Sequence, residues 1–504
     1  MQGATSVCTS VRSIVLLCFV LIGLPFVSAQ AQTLADKVIE HDLDNGLKLL
    51  MVERDATPTF TAYITLGVGA VNETSEYRGV AHLLEHMLFK GTRTLGTVDY
   101  EQEKPLLEQI EQVGAKLDEL RTRRDVDPDE VQQLEQRLDR LQQEHKKFVV
   151  KDEFARIYAE NGGVGYNAFT SKDLTSYLIS LPSNKLELWA AIESDRMKNA
   201  VLREFYTERE VIKEERRRSY ETSPRGLLYE NLLATAFTVH PYRNPIIGWM
   251  SDIENLTLEE TRSFLKRYYA PTNTVIALVG DIDPAETIAL IERYFGDIDP
   301  GVPVMPVTAV EPPQNGEKRR HVQFDAEPQL SMAFHKPTLP SREDYVFDLL
   351  DQILGQGPTS RLYRSLVLEK QIATAVSTYG APGARYPNLY VINATPRHPH
   401  TVEEVEEAIM AEIERLTREP VSEAELEKAR SRLRTDRLRF LRGNNGLARM
   451  LTYYQSVAGD WRYLVNYDRK VAQLDAEDIV QVARQWLTKA NRTVVTLSAE
   501  GEKQ

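Results

Sequence analysis

The spacing of apolar residues along the chain predicts which segments form strands and which form helices. Residues 39–43, 47–52 and 60–66 have the composition of strands, and an Asp-Asn-Gly turn separates the first two. Residues 79–89 follow a helical pattern with apolar residues on more than one side. A helix of that kind is buried. The sequence therefore predicts a mixed fold that begins with strands and continues into a buried helix.

Residues 101–148 differ in character from the segments on either side. Apolar residues recur there at spacings of three and four in two runs, 110–120 and 131–141. Asp127-Pro128 lies between the runs and provides an N-cap and a first helical residue. This pattern predicts an antiparallel helical hairpin with coiled-coil-like spacing. On periodicity alone, a mobile surface insertion without chemistry is the favoured interpretation.

A proline-rich stretch divides the chain into two parts that repeat each other. Residues 300–318 are predicted to be an extended linker, since five prolines fall between positions 300 and 313. It separates an N-terminal domain, residues 33–299, from a C-terminal domain, residues 319–504. The apolar pattern of residues 81–88 returns at 347–354, where the polar residues have changed. A duplicated fold with one working site is the simplest account of this repeat.

Composition excludes some classes of function. The chain has 504 residues, which suits two to four domains, and its 42% hydrophobic content is that of a globular protein. The formal net charge is −13, and the nearest approach to a basic run, residues 216–218, lies in a helix also rich in glutamate. The sequence therefore predicts no nucleic-acid partner.

The N-terminus has the pattern of a signal peptide. Arg12 is its only charged residue, residues 14–27 are mostly apolar, and Val27-Ser28-Ala29 offers small residues for cleavage. We expect residues 1–29 to be removed, with cleavage after residue 31 as a second option. The mature protein is then exported, most simply to the periplasm, with no stable membrane span. The alternative is a single N-terminal membrane anchor.

Cysteine usage limits how the mature protein is stabilised and how it could bind a metal. The only two cysteines, Cys8 and Cys18, lie in this N-terminal segment. The mature chain would contain no disulfide, so its core must be large enough to fold unaided. Any metal site would use histidine and carboxylate ligands, which suits zinc.

The buried helix contains the sequence His-Leu-Leu-Glu-His. His82 and His86 are four residues apart, so their imidazoles lie one turn apart on one face and suit a single tetrahedral zinc. Glu85 adjoins His86 and can reach a water held by the metal. Zinc lowers the pKa of that water, and Glu85 can take its proton as it attacks a carbonyl. A shared metal would also satisfy polar groups whose burial is otherwise unfavourable.

A third ligand is expected from the helix at residues 202–220. Glu208 and Glu215 lie seven residues apart, two turns along one face. Spacing alone does not decide between Glu214 and Glu215, or between Glu208 and Glu210. For any one of these glutamates, a solvated helix face is the more common explanation.

The inverted H-x-x-E-H motif together with the glutamates of residues 208–215 resembles the inverzincins. These are the pitrilysin/insulysin peptidases and the mitochondrial processing peptidase, and this chain resembles a half-length bacterial member. The resemblance implies that Glu215 is the third zinc ligand and that Glu208 supports the site, with one Zn²⁺ per chain. It also implies an α+β fold of two homologous domains, each a mainly antiparallel β-sheet covered by helices, with the hairpin inserted in the first.

The resemblance extends to the substrate site and to a possible partner. The segment containing Asn167 and Ala168 resembles the family's edge strand, which pairs with extended substrate. Many members have an Arg and a Tyr in the C-terminal half that contact substrate. Val367 and Thr374 occupy those positions here. We therefore expect a dimer, with a related zinc-less chain supplying the Arg/Tyr pair.

The sequence thus predicts a metalloendopeptidase that cleaves peptides or unfolded segments, with Glu85 as general base. The alternative is a non-catalytic or scaffold subunit of a peptidase-like complex. Such subunits usually lose zinc ligands, whereas all the candidate ligands are present here.

Overall fold

The computed structural model describes residues 33–500 and contains two β-sheets. The signal peptide predicted at the N-terminus lies outside these residues. The strands are β1 Ile39–Asp42, β2 Lys48–Glu53, β3 Thr59–Leu66, β4 Val164–Thr170, β5 Thr175–Pro182, β6 Thr274–Gly280, β7 Lys318–Gln323, β8 Gln329–Lys336, β9 Ala373–Ala381, β10 Asn388–Pro396 and β11 Arg492–Ser498.

Helices cover both sheets. They are α1 Leu34–Lys37, α2 Val80–Met87, α3 Tyr100–Arg121, α4 Pro128–His145, α5 Glu153–Glu160, α6 Leu186–Asn199, α7 Phe205–Arg216, α8 Pro224–Ala236, α9 Met250–Asn255, α10 Leu258–Tyr268, α11 Pro284–Phe295, α12 Arg342–Leu354, α13 Val402–Arg418, α14 Glu423–Arg442, α15 Asn444–Ala458, α16 Tyr463–Ala472 and α17 Ala476–Trp486.

The two sheets have the same strand order. The first runs β1-β2-β6-β3-β5-β4 and the second β7-β11-β8-β10-β9, so they differ only by the additional strand β1. In each sheet one pair is parallel, β2 with β6 and β7 with β11, and the other pairs are antiparallel. The mainly antiparallel, duplicated α+β fold predicted from the sequence is confirmed. Residues 300–317, between the two parts, form neither helix nor strand.

Each half contributes a helix to the sheet of the other half. Helix α8 lies before the proline-rich stretch, yet its buried Leu232 packs in one cluster with Val391 and Val495 of the second sheet. Helix α15 lies after it, and its buried Leu451 packs with Leu50 and other residues of the first sheet. One face of each sheet is therefore completed by the opposite half, which ties the halves together by hydrophobic burial.

The hairpin formed by α3 and α4 is packed onto the N-terminal half. Residues Ile110, Val113 and Leu141 belong to the hydrophobic cluster that surrounds α2 and α7. At the base of the hairpin, the buried Arg203 donates to Glu103 of α3 at 2.7 Å, and His145 of α4 lies 2.7 Å from the same carboxylate. One face of α3 is therefore buried against the N-terminal half, in contrast to the loosely attached surface insertion favoured by periodicity.

The helix exchange predicts that a cavity at α15 weakens the whole molecule. Leu451→Ala should lower the free energy of unfolding by about 2–5 kcal/mol, since Leu451 is fully buried against the first sheet. Urea unfolding followed by circular dichroism measures this. Leu438→Ala on α14 is the matched control, because Leu438 is 56% exposed and should change stability by less than about 0.5 kcal/mol. Equal effects of the two substitutions would contradict the structural role given to α15.

Candidate metal centre

Helix α2 presents His82, Glu85 and His86 to solvent-accessible space while its other residues are buried. Val80, Ala81, Leu83, Leu84 and Met87 all face the core. The helix begins at Gly79, which adopts φ 91°, and a Cβ there would come within 2.5 Å of the Ile247 carbonyl oxygen. Glycine is therefore required at this position to let the chain turn into the helix.

A buried carboxylate caps the N-terminus of α2. The side chain of Glu73 accepts hydrogen bonds from the backbone N–H groups of Gly79 and Ala81, each at 2.9 Å. These are N–H groups that have no partner within the helix. Glu73 therefore fixes the first turn, on which His82 depends. Sequence reasoning missed this residue, because it lies six residues before the helix and outside any capping-box spacing.

The two histidines converge on one carboxylate of α7. His82 Nε2 lies 3.8 Å from Glu215 Oε1, and His86 Nε2 lies 3.6 Å from Glu215 Oε2. All three candidate ligand atoms are within 4.8 Å of one another. Neighbouring ligands around a tetrahedral zinc are separated by about 3.4 Å, given metal–ligand bonds of about 2.1 Å. The distances thus exceed a hydrogen bond and fit three ligands of one small cation.

The structure also separates Glu215 from the other glutamates that spacing left open. Glu214 points outward and pairs with Arg217, and Glu210 is exposed and pairs with Lys213. Only Glu215 is grouped with the histidines among residues 33–500. The face of α7 that meets α2 therefore carries Glu208 and Glu215.

Glu208 lies behind His86. Its Oε2 is 3.4 Å from His86 Nδ1, and its Oε1 accepts a hydrogen bond from Lys90. A carboxylate at the second nitrogen of a metal-binding imidazole fixes the ring orientation and raises its basicity. Lys90 lies three residues beyond the end of α2, so helical spacing did not place it and sequence reasoning missed it.

The two imidazoles have different electrostatic surroundings. Burial, with a smaller contribution from His86, lowers the pKa of His82 to about 3, which keeps it neutral as a ligand must be. Burial also opposes charge on His86, but its hydrogen bond with Glu208 and the charge of Glu215 outweigh this and raise its pKa. The buried His82 Nδ1 has no hydrogen-bond partner in the described part of the chain.

Glu85 is held beside the three ligands by the end of strand β4. Thr170 Oγ1 donates a 2.6 Å hydrogen bond to Glu85 Oε2. Burial raises the pKa of Glu85, and the hydrogen bond from Thr170 partly offsets that rise. A raised pKa suits a carboxylate that must both take up and release a proton near neutral pH. Sequence reasoning missed the role of Thr170, because that role depends on tertiary packing.

Strand β4 forms the outer edge of the first sheet next to α2. It pairs with β5 only, so within residues 33–500 its second edge is open. Ala168 is buried in the same cluster as the apolar face of α2, while the Asn167 side chain is exposed. The open edge and the metal-ligand candidates therefore border the same space.

The positions expected to correspond to the Arg/Tyr pair lie in the second half. Val367 is buried in the core that surrounds α12, and Thr374 is exposed at the start of the outer strand β9. Neither side chain carries charge or an aromatic ring. In the counterpart of α2, Asp348 and Asp351 replace a metal ligand and the general-base candidate.

The fold and this site place the chain in a known family. Residues 49–143 and 138–249 match the family described as Insulinase (Peptidase family M16), and residues 255–433 match the Peptidase M16 inactive domain. The chain therefore belongs to peptidase family M16, as its sequence motifs predicted.

Relatives in this family are similar over almost their whole length. The zinc protease PqqE of Helicobacter pylori is 26% identical, with 93% of this chain and 95% of the relative covered. The probable mitochondrial-processing peptidase subunit beta of Schizosaccharomyces pombe is 23% identical, with coverages of 91% and 90%. The crystal structure of a protease from Helicobacter pylori superposes with a TM-score of 0.77 at 26% identity, covering 92% of this chain and 99% of that one.

The position of Glu208 predicts an effect on metal affinity. Glu208→Gln should weaken zinc binding about 10- to 100-fold, because His86 loses a charged hydrogen-bond partner. Competition against a zinc-chelating dye measures the affinity. Glu210→Gln is the matched control on the same helix, since Glu210 is exposed and forms an ion pair with Lys213, one turn further along α7. An unchanged affinity in Glu208→Gln would show that Glu208 does not support the site.

Proposed function

We propose that the chain is a zinc-dependent endopeptidase that cleaves peptides or unfolded polypeptide segments. The observation that supports this most directly is the convergence of His82, His86 and Glu215, with Glu85 beside them. The donor set of two imidazoles and one carboxylate is that of a catalytic zinc site, in which a fourth position is left for water or substrate. Family membership and the names of the relatives, zinc proteases among them, agree with this proposal.

Zinc, when bound, supplies Lewis acidity, which polarises the substrate carbonyl and lowers the pKa of water. The residues of the chain supply the proton transfers. Thr170 holds Glu85 through Oε2, which leaves Oε1 to accept a proton from the attacking water and deliver it to the departing amine. Glu208 keeps His86 oriented through the same steps.

We propose that substrate binds as an additional strand on the open edge of β4. Main-chain hydrogen bonds to an edge strand recognise extended peptide with little dependence on its sequence. Asn167 can contact the substrate, because its side chain is exposed on that strand, whereas Ala168 holds the strand against α2. A folded protein cannot present an extended strand here, so unfolded segments and peptides are favoured.

We also propose that the active form is a dimer with a related, zinc-less chain. Val367 and Thr374 cannot make the charged and aromatic contacts that an Arg/Tyr pair would make, and Val367 is 9% exposed in a packed core. A second chain would supply them.

We also propose that the protein is exported, most simply to the periplasm, because residues 1–29 have the pattern of a signal peptide. No helix in residues 33–500 has both the length and the apolar character needed to cross a bilayer.

The first test removes the proton acceptor and keeps the metal. Glu85→Gln should retain one zinc per chain by elemental analysis and lower kcat on an unstructured fluorogenic peptide by about 10²- to 10⁴-fold. Glu210→Gln, which changes an exposed glutamate in the same way, should cleave at the wild-type rate. Chelation should abolish wild-type cleavage, and added zinc should restore it. Retained cleavage by Glu85→Gln would reject Glu85 as the general base.

The second test concerns the partner. The exported protein should purify from its natural source with a second, related chain. The isolated zinc-binding chain should turn over peptide slowly, and addition of the partner should restore the rate. Sedimentation analysis and kcat measured on the same samples check this. An active homodimer with normal turnover and no second chain would refute the heterodimer.

A further inference from the structure

The second half contains a cavity at the helix that corresponds to α2. Its volume is about 380 Å³, and it is bordered by Asp344, Asp348 and Asp351, which lie on one face of α12. The turn after β4 in the first half, at Ser171 and Leu174, forms another wall. The cavity therefore lies where the two halves meet. Its lining residue Ser171 directly follows Thr170, the residue that holds Glu85.

Two of the three α12 carboxylates in this cavity form no ion pair with any described residue. Lys336 is the single lysine or arginine that lines it, and its ammonium group bonds to Asp344. Asp348 accepts a 2.6 Å hydrogen bond from the Tyr467 hydroxyl, and Asp351 accepts from Thr378 and Gln356. These donors are neutral, so the charge of Asp351 has no countercharge beside it, and that of Asp348 is offset only in part by Lys336.

The titration of the two groups agrees with a missing countercharge. Burial, together with the charge of Asp344, raises the pKa of Asp348 to about 7. Burial likewise raises the pKa of Asp351 to about 6. A cation placed between the carboxylates would stabilise their charged forms and reverse these shifts.

A residue that lines the cavity also carries a buried polar atom without a partner. Asn388 is 3% exposed, and its amide nitrogen donates to the Gly383 carbonyl, which orients Oδ1 as the free atom. Asn388 Oδ1 has no hydrogen-bond partner within residues 33–500. A buried acceptor left unpaired is unfavourable, so a ligand that donates a hydrogen bond to it would be stabilised here.

The size and lining of the cavity select the kind of cation. A volume of 380 Å³ far exceeds the roughly 30 Å³ that one water occupies, so a bare metal ion would leave most of it empty. Phe347, Tyr453 and Tyr454 add aromatic surface, which attracts an ammonium group and packs against an aliphatic chain. The Lys336 ammonium already bonds to Asp344, whereas Asp348, Asp351 and Asn388 offer oxygen acceptors that the three donors of a second ammonium group can meet.

We propose that this cavity binds a primary ammonium group carried on a short aliphatic chain. Asp348 and Asp351 serve as its counter-ions, and Asn388 Oδ1 accepts one of its hydrogen bonds. The ammonium group belongs either to a free diamine or to a lysine side chain of a peptide. The site is separate from the proposed zinc centre and does not require peptidase activity.

Calorimetry with the zinc-loaded wild-type protein at pH 8 tests the proposal. Both carboxylates are then ionised and alkyl ammonium groups are protonated. The probes are 1,4-diaminobutane and Nα-acetyl-lysine methylamide, with 1,4-butanediol and Nα-acetyl-norleucine methylamide as uncharged counterparts. At least one amine should bind, and its counterpart should bind at least about 10-fold more weakly. Whichever amine binds more tightly identifies the source of the ammonium group.

Variants locate the binding. Asp348→Asn should weaken amine binding at least about 10-fold. Asp436→Asn is the matched control. Asp436 is exposed on α14, so this substitution removes the same charge at a place away from the cavity. Should Asp348→Asn fail to fold, Asp351→Asn replaces it, and the wild-type comparison of amine with uncharged counterpart stands independently.

Four outcomes would overturn the proposal. The first is that neither amine binds the wild-type protein at about 10 mM, a concentration that detects a Kd of roughly 1 mM or more. The second is that the amine and its uncharged counterpart bind equally. The third is undiminished amine binding in Asp348→Asn, which would place the amine elsewhere, including at the zinc. The fourth is tighter binding of Mg²⁺ or Ca²⁺ than of amine that Asp348→Asn abolishes, since the cavity would then be a metal site.

Discussion

The position of α7 is the constraint on which the metal centre depends. Its arginines tie it to its surroundings, since Arg209 bonds to Asp118 of α3 and the Leu256 carbonyl, and Arg216 bonds to the Gly248 carbonyl. Tyr206 at its start packs against Gly114 of α3, where a Cβ would come within 1.9 Å of the tyrosine ring. Buried ion pairs and hydrogen bonds of this kind add geometric specificity more reliably than stability. They fix α7 in rotation, so that Glu208 and Glu215 face α2.

The separation along the sequence between interacting residues decides which parts of the site could be predicted. His82, Glu85 and His86 are within one turn of one helix, so helix geometry alone brings them together. The choice of Glu215 needed the family resemblance, because the rotation of α7 is set by contacts with other helices. Thr170 reaches Glu85 from a strand that lies far away in sequence, and no local pattern carries that contact.

The fold shows the same division between local and long-range information. The shared strand order of the sheets follows a repeat that was visible in the apolar pattern around residues 81–88 and 347–354. The exchange of α8 and α15 was not visible, because an apolar helix face shows that a helix is buried but not which sheet covers it. The helices of the hairpin were predicted from a local pattern. The close packing of the hairpin on α7 depends on Gly114 and on the ion pair of Arg209 with Asp118, which lie far apart in sequence.

The helix exchange has a consequence for how the protein is made. A ribosome completes α8 long before it begins the second sheet, and it completes the first sheet long before α15. Until then, Leu232 and Leu50 lack the part of their hydrophobic cluster that the other half contributes. Neither half can bury all of its apolar surface during vectorial synthesis, so the chain passes through an intermediate in which that surface is partly exposed. Such an intermediate requires protection by chaperones and is exposed to other proteases for as long as it lasts.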